Sequence, residues 1–121
     1  MDSLIPASIT LEEYHHQQAA AMSEKVLQAA ILGAARRHGW LAYHTHDSRR
    51  SQPGYPDLHL VHPEAGRSIF RELKTQKGAT TSDQQVWLRA LKLAGHDVGI
   101  WRPIDWLDGT VDAELLPGFV S

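Results

Sequence analysis

Between Glu24 and Gly39 the chain reads EKVLQAAILGAARRHG, with Val26, Leu27, Ala30, Ile31 and Ala34 recurring at the spacing of one helix face and Gly39 supplying a stop. This is the strongest helical pattern in the sequence. Ahead of it, Thr10 with Glu13 three residues on is a reciprocal capping pattern and predicts a first helix over roughly 11 to 22, with Ser23 as a break or a new cap. WLAYHTH then has the aromatic, alternating look of a strand, and DSRRSQPGYP reads as a polar loop closed by Gly and two prolines. DLHLVH and SIFRELK are strand-like runs joined by the turn-rich PEAG, so an antiparallel hairpin is expected. In TSDQQVWLRALKLAG, Thr81 and Gln84 form a second capping pattern, Val86, Leu88, Leu91 and Leu93 supply apolar surface, and Gly95 ends the helix. DVGIWRP reads as a short buried strand. The order is helix, three strands, helix, strand; beyond Pro103 only an Asp-Gly turn is recognisable.

The hairpin carries polar residues where strands want valine. With side chains alternating at a period of two, Asp57 and His59 share one face, and Glu72 and Lys74 share a face of the neighbouring strand. Pairing brings the four together. Two carboxylates held close repel one another unless protonated or bridged by a cation, and hard oxygen ligands of this kind suit Mg2+ or Mn2+. Lys74 would point at the same place, where its ammonium could orient a water or stabilise charge on a phosphate oxygen.

Composition narrows the setting. At 121 residues the chain is long enough for one core and too short for two ordinary domains, so a single unit over 1–121 is expected. It is 42% hydrophobic and 21% charged, and no apolar run approaches the roughly 20 residues of a membrane helix. The start, MDSLIPASITLEEYHH, lacks the basic-then-apolar pattern of a secretory signal and there is no cysteine, so a cytoplasmic setting is expected. A net charge of -2 with a pI near 6.4 gives no global argument for nucleic acid. A metal-dependent enzyme of nucleic acid can still be mildly acidic, because its clustered carboxylates await cations.

The string Pro56-Asp57 followed by Glu72-Leu73-Lys74 matches the PD-(D/E)xK pattern of restriction-endonuclease-like nucleases. Short acid-x-lysine strings are common on solvated strand faces, so the context decides. With GYPDLHLV before the first acid, RELK ending the second strand, Gly78 beyond it, the TSDQQVWL helix and the closing AGHDVGIWRP, the chain from about Glu24 to about Pro103 resembles the VRR-NUC (virus-type replication-repair nuclease) family. The resemblance implies an α/β fold: a restriction-endonuclease-like αβββαβ core over about 24–103, with a small mixed sheet flanked by helices, an N-terminal helix over about 11–22 and a tail over 104–121.

It further implies Asp57 and Glu72 as metal-binding acids, the backbone carbonyl of Leu73 as a further oxygen ligand, and Lys74 as the catalytic lysine. Gln84 matches a glutamine beside the active site, and Glu24 an acidic position that approaches the metal in relatives. His44 and the Arg50-Ser51 pair fall where phosphate contact is implied. Arg49 and Arg50, with Lys77, would hold a DNA backbone by charge. The implied activity is metal-dependent, structure-selective cleavage of branched DNA such as four-way junctions by a homodimer, in replication, recombination or repair in a bacterial or phage-infected cell.

Blander readings compete at each position. Asp57 could end a turn, Glu72 and Lys74 could be a solvated strand face, Gln84 could serve only its cap, and Glu24 could simply favour a helix dipole. The five histidines His15, His16, His38, His62 and His96 look like surface or helix-end residues, and the four tryptophans like core or core-edge residues. Two alternatives remain open: a nucleic-acid-binding module that keeps the fold without turnover, and a zinc or iron protein built on His44, His46, Asp57 and His59.

Overall fold

Among the described residues, three of the five helices begin where a hydroxyl can cap them. In α1 (Leu11–Ala21) and α3 (Ser82–Leu93) the Thr10/Glu13 and Thr81/Gln84 boxes are both closed, and Ser23 accepts from the Val26 N–H to open α2 (Glu24–Arg37). The computed structural model describes residues 8–45 and 52–120. Its strands are β1 (Leu41–His44), β2 (Leu58–His62), β3 (Arg67–Leu73) and β4 (Asp97–Trp101), followed by the short helices α4 (Pro103–Leu107) and α5 (Thr110–Leu115).

The four strands form one mixed sheet in the order β1-β2-β3-β4. β1 and β2 are antiparallel, β2 and β3 form the expected hairpin, and β4 returns through α3 to lie parallel to β3. Register follows the period of two: Leu58, Leu60 and His62 stand opposite Arg71, Ile69 and Arg67, while His59 stands opposite Phe70.

The two faces of the sheet are covered unequally. On one, Leu58, Leu60, Ile69, Leu73 and Trp101 pack with Leu27, Ile31 and Leu32 of α2 and with Val111 and Leu115 of α5. The segment after Pro103, unreadable from the sequence, therefore belongs to the main core. Its Leu115 carbonyl accepts the indole N–H of Trp40 at 2.8 Å. On the other face, α3 buries none of its residues: Val86 and Leu93 are 66% and 79% exposed, and Leu88 and Leu91 only half-buried. The apolar stripe expected of α3 thus covers little of the sheet.

His62 departs from the surface role its sequence neighbourhood gave it. It is buried, its Nδ1 accepts the Ala65 N–H at 3.1 Å, and Nε2 lies 3.0 Å from the His38 carbonyl. With those partners Nδ1 acts as acceptor and Nε2 as donor. No helix among the described residues is long and apolar enough to cross a membrane.

Candidate active site

The loop that precedes β2 is held from two sides before it delivers Asp57. Gly54, at φ 87°, runs so close to the first turn of α3 that a Cβ there would meet the Asp83 carbonyl carbon at 2.3 Å, so only glycine fits. Next to it, Tyr55 packs edge-on against Trp87 of α3 and Phe70 of β3, and Pro56 is fully buried. The Thr45 N–H donates to the Asp57 carbonyl at 3.0 Å. Asp57 itself lies just before the paired stretch, where its Oδ2 accepts the Leu73 N–H at 2.8 Å. The carboxylate takes the place a partner strand's carbonyl would have, which fixes one oxygen and turns the group toward Glu72.

Glu72 is 1% exposed, and its Oε2 is buried without a hydrogen-bond partner. Burial comes first in pushing its carboxyl up to about 9. Asp57 adds to this, hydrogen-bonding the protonated form and repelling the ionised one; Lys74 pulls the other way, and Glu24 pushes up again. Asp57, Lys74 and Glu24 are therefore near enough to act on Glu72, whereas His59, expected beside them, takes no part in this shift. Lys74 is 8% exposed, and its backbone N–H donates to the Trp101 carbonyl at 3.2 Å, which sets it in the sheet just beyond the end of β3.

The other expected residues are dispersed around this centre. Glu24 opens α2 in an exposed position. Gln84 has its Oε1 committed to the Thr81 N–H at 2.9 Å, closing the cap of α3. His44 stands opposite Leu58, on the α2 side of the sheet, with Nδ1 3.5 Å from Gln28 Nε2. Lys77 is exposed in the turn after Lys74. Arg49, Arg50 and Ser51 lie outside the described residues, as does His46.

The histidine-based metal site is overturned by the register. His44 pairs with Leu58, whereas His59 pairs with Tyr43, so the two imidazoles occupy opposite faces. His59 is engaged elsewhere: it stacks on Phe70 with centroids 4.1 Å apart, and its Nε2 lies 2.8 Å from Ser68 Oγ. Burial, then the nearby His96, lowers its pKa. Among the described residues no three His, Cys, Asp or Glu side chains are grouped so as to hold a metal by themselves. Asp57 and Glu72 offer hard carboxylate oxygens, a donor type suited to Mg2+ or Mn2+.

Two arginines next to the site carry no motif and were missed. Arg71, between Phe70 and Glu72, is buried on the α2 side with Asp97 and Glu114. Arg102 reaches from the end of β4 to the turn after Lys74, donating from Nη1 to the carbonyls of Thr75 and Gly78 at 2.8 and 2.7 Å. A lone arginine before a proline gives no sequence signal of such a role.

A family model described as the VRR-NUC domain matches residues 4–102. A solved structure titled "VRR_NUC domain" superposes with a TM-score of 0.63 at 19% identity, covering 76% of this chain and 97% of that one. No curated protein matches. The mixed sheet flanked by helices agrees with a restriction-endonuclease-like fold, and the domain is of nuclease type. With the family match extending from ahead of α1 to the end of β4, the chain belongs to the VRR-NUC family.

Proposed function

We propose that the protein is a divalent-metal-dependent endonuclease that hydrolyses phosphodiester bonds in structured DNA. The observation that carries this reading is Glu72: an acid sealed from water, one oxygen unpartnered, beside a second acid whose orientation a backbone N–H fixes. Such a pair is destabilising by itself, and the burial of unsatisfied polar atoms is rare in folded proteins. A divalent cation resolves both problems.

Asp57, Glu72 and the Leu73 carbonyl would hold Mg2+ or Mn2+, which supplies Lewis-acid polarisation of the scissile phosphate and a lowered pKa for bound water. The Leu73 N–H keeps the Asp57 carboxylate aimed, so the site is organised before substrate arrives. Lys74 brings a cationic ammonium next to the acids, where it orients the attacking water and offsets charge on the phosphate in the transition state. Glu24 adds negative charge at the rim, and Gln84 keeps an amide at the mouth of α3. Arg49, Arg50, Ser51, His44 and Lys77 would contact the DNA backbone, which positions substrate without reading sequence.

Selection would then rest on DNA shape, with branched DNA such as four-way junctions as substrate. A homodimer suits that task, since two sites related by a twofold axis address two strands. The setting is replication, recombination or repair in the cytoplasm.

The test is cleavage of labelled single-stranded, duplex, flap and four-way-junction DNAs with Mg2+ or Mn2+, comparing wild type with Lys74→Ala. Loss of a positioned acid-base group predicts a rate about 100-fold lower for the variant. Equal cutting by both proteins refutes the assignment, and junction binding without any cutting leaves a binding module with a nuclease fold. Full junction cleavage by a protein that scatters as a monomer at micromolar concentration removes the dimer.

A further inference from the structure

The turn Thr75-Gln76-Lys77-Gly78 directly follows the catalytic lysine, and it is fastened from one place, the junction of β4 and α4. Arg102 Nη1 donates to the carbonyls of Thr75 at 2.8 Å and Gly78 at 2.7 Å, with the Gln76 carbonyl a longer acceptor at 3.4 Å. From the next turn of chain, the Ile104 N–H donates to Gln76 Oε1 at 3.0 Å. Arg102 is itself fixed, because its N–H donates to Asp105 Oδ2 at 2.7 Å and the preceding Trp101 carbonyl accepts the Lys74 N–H.

The turn is closed by the Gly78 N–H on the Thr75 carbonyl at 3.2 Å, and it lies along the stem of Lys74. A methyl group built on Gly78 would come within 2.7 Å of Thr75 Oγ1 and 3.7 Å of Lys74 Cδ. Anything that loosens the turn therefore frees both the backbone after Lys74 and one wall of its side chain. Among the described residues Arg102 makes no salt bridge; its Nη1 donates to main-chain carbonyls.

We infer that Arg102 is a positioning residue for the reaction, holding the 75–78 turn so that the Lys74 ammonium stays aimed at the site of Asp57 and Glu72. The inference rests on the nuclease reading above. Arginine suits the task because its guanidinium stays charged and presents several donors in a fixed plane. Displacing a reacting group by about 1 Å can cost about a hundredfold in rate, so a loosened turn would act on turnover rather than on binding. Asp57 is held by the Leu73 N–H and Glu72 stands within β3, so neither acid depends on Arg102 for its place in the sheet.

The experiment uses the full chain, Mn2+ and a DNA that wild type cuts, and compares Arg102→Met and Arg102→Lys. For Arg102→Met, kcat falls about 10- to 100-fold while KM and Mn2+ affinity stay within about twofold. Amide exchange accelerates over residues 75–78 and is unchanged over residues 58–62. Arg102→Lys, which supplies donors from a point rather than a fork, recovers part of kcat; if Arg102→Met does not fold, the lysine variant alone decides, with an intermediate loss of kcat and faster exchange in the turn. Wild-type kcat in a folded variant overturns the inference, as does faster exchange across the whole sheet or a parallel loss of metal affinity. Wild type that cuts no DNA overturns the nuclease reading and this one with it, whereas a cutting wild type with an indifferent Arg102 overturns only this one.

Discussion

Arg71 and Glu72 are successive residues on β3, both charged, both nearly sealed from solvent, and they face opposite sides of the sheet. Arg71 is saturated. Its Nη2 lies 2.9 Å from Asp97 Oδ1 and 3.1 Å from Glu114 Oε1, its Nη1 donates to the carbonyls of Phe70 and Asp97, and its guanidinium sits 4.9 Å over the Trp101 ring. Glu72 is the reverse. One of its oxygens has no partner, and the side chain beside it is another acid.

Burial alone therefore does not mark a site. Arg71 ties β4 and α5 to the sheet, and nothing about it asks for a ligand. Glu72 is held in an unfavourable place, the kind of perturbed group from which a functional site is inferred.

The sharpest way to break the contrast is to make Glu72 neutral. Glu72→Gln should lower cleavage about a thousandfold or more, the size expected when several kcal/mol of metal-borne transition-state stabilisation are lost. Its effect on metal-free stability has the opposite sign and depends on pH. Glu72 has its pKa raised from 4.5 to about 9, so the folded chain keeps a proton that the unfolded chain releases. Stability from this group is full below about pH 4.5 and is lost as pH climbs toward 9. Metal-free wild type should thus melt at progressively lower temperature from pH 5 to pH 9. Glu72→Gln should flatten that slope, and so should saturating Mg2+, by favouring the ionised carboxyl. A wild-type melting profile with no fall over this range would remove the premise that Glu72 is strained.

Arg71→Met tests the other half. Removing one partner of a buried ion pair typically costs roughly 3–5 kcal/mol. Asp97 is 41% exposed here, so water recovers part of the loss and about 2–3 kcal/mol is expected. Urea denaturation measures it. Below the transition, the variant should still bind metal and cut DNA at close to the wild-type rate. A folded Arg71→Met protein that fails to cut would mean that the two faces are not separable.

The parts legible in the sequence were those whose cause is local. The Thr10/Glu13 and Thr81/Gln84 boxes announce their helices within four residues, and the alternation in DLHLVH and SIFREL fixes a hairpin register that brings Asp57 beside Glu72. What stayed hidden depends on partners far along the chain. Arg71 carries no sequence signal of burial, because Asp97 and Glu114, which fold against it, lie 26 and 43 residues on. Arg102 reads as a strand-end residue until the turn 24 to 27 residues earlier supplies its acceptors. The helices α4 and α5 are too short to show a period; Val111 and Leu115 are buried only because Trp40 and α2 meet them. Likewise His62 needed the carbonyl of His38 to become an interior residue.

Gln84 gives the smallest effect and the finest division between structural and chemical duty. Its Oε1 closes the cap on Thr81, while among the described residues its amide N–H group has no hydrogen-bond partner. Glutamate also closes such a box and suits the positive end of a helix, so Gln84→Glu should leave stability within about 0.5 kcal/mol of wild type. The cap survives; the donor does not. If the amide serves a phosphate oxygen, replacing it with a carboxylate should slow cleavage about tenfold, the value of one hydrogen bond to a charged group. Unchanged melting with a tenfold loss in single-turnover rate would separate the two duties on one side chain. Unchanged melting with unchanged rate would assign Gln84 to the cap alone, and the chemistry would then rest on groups that β2, β3 and the turn after Lys74 present without help from α3.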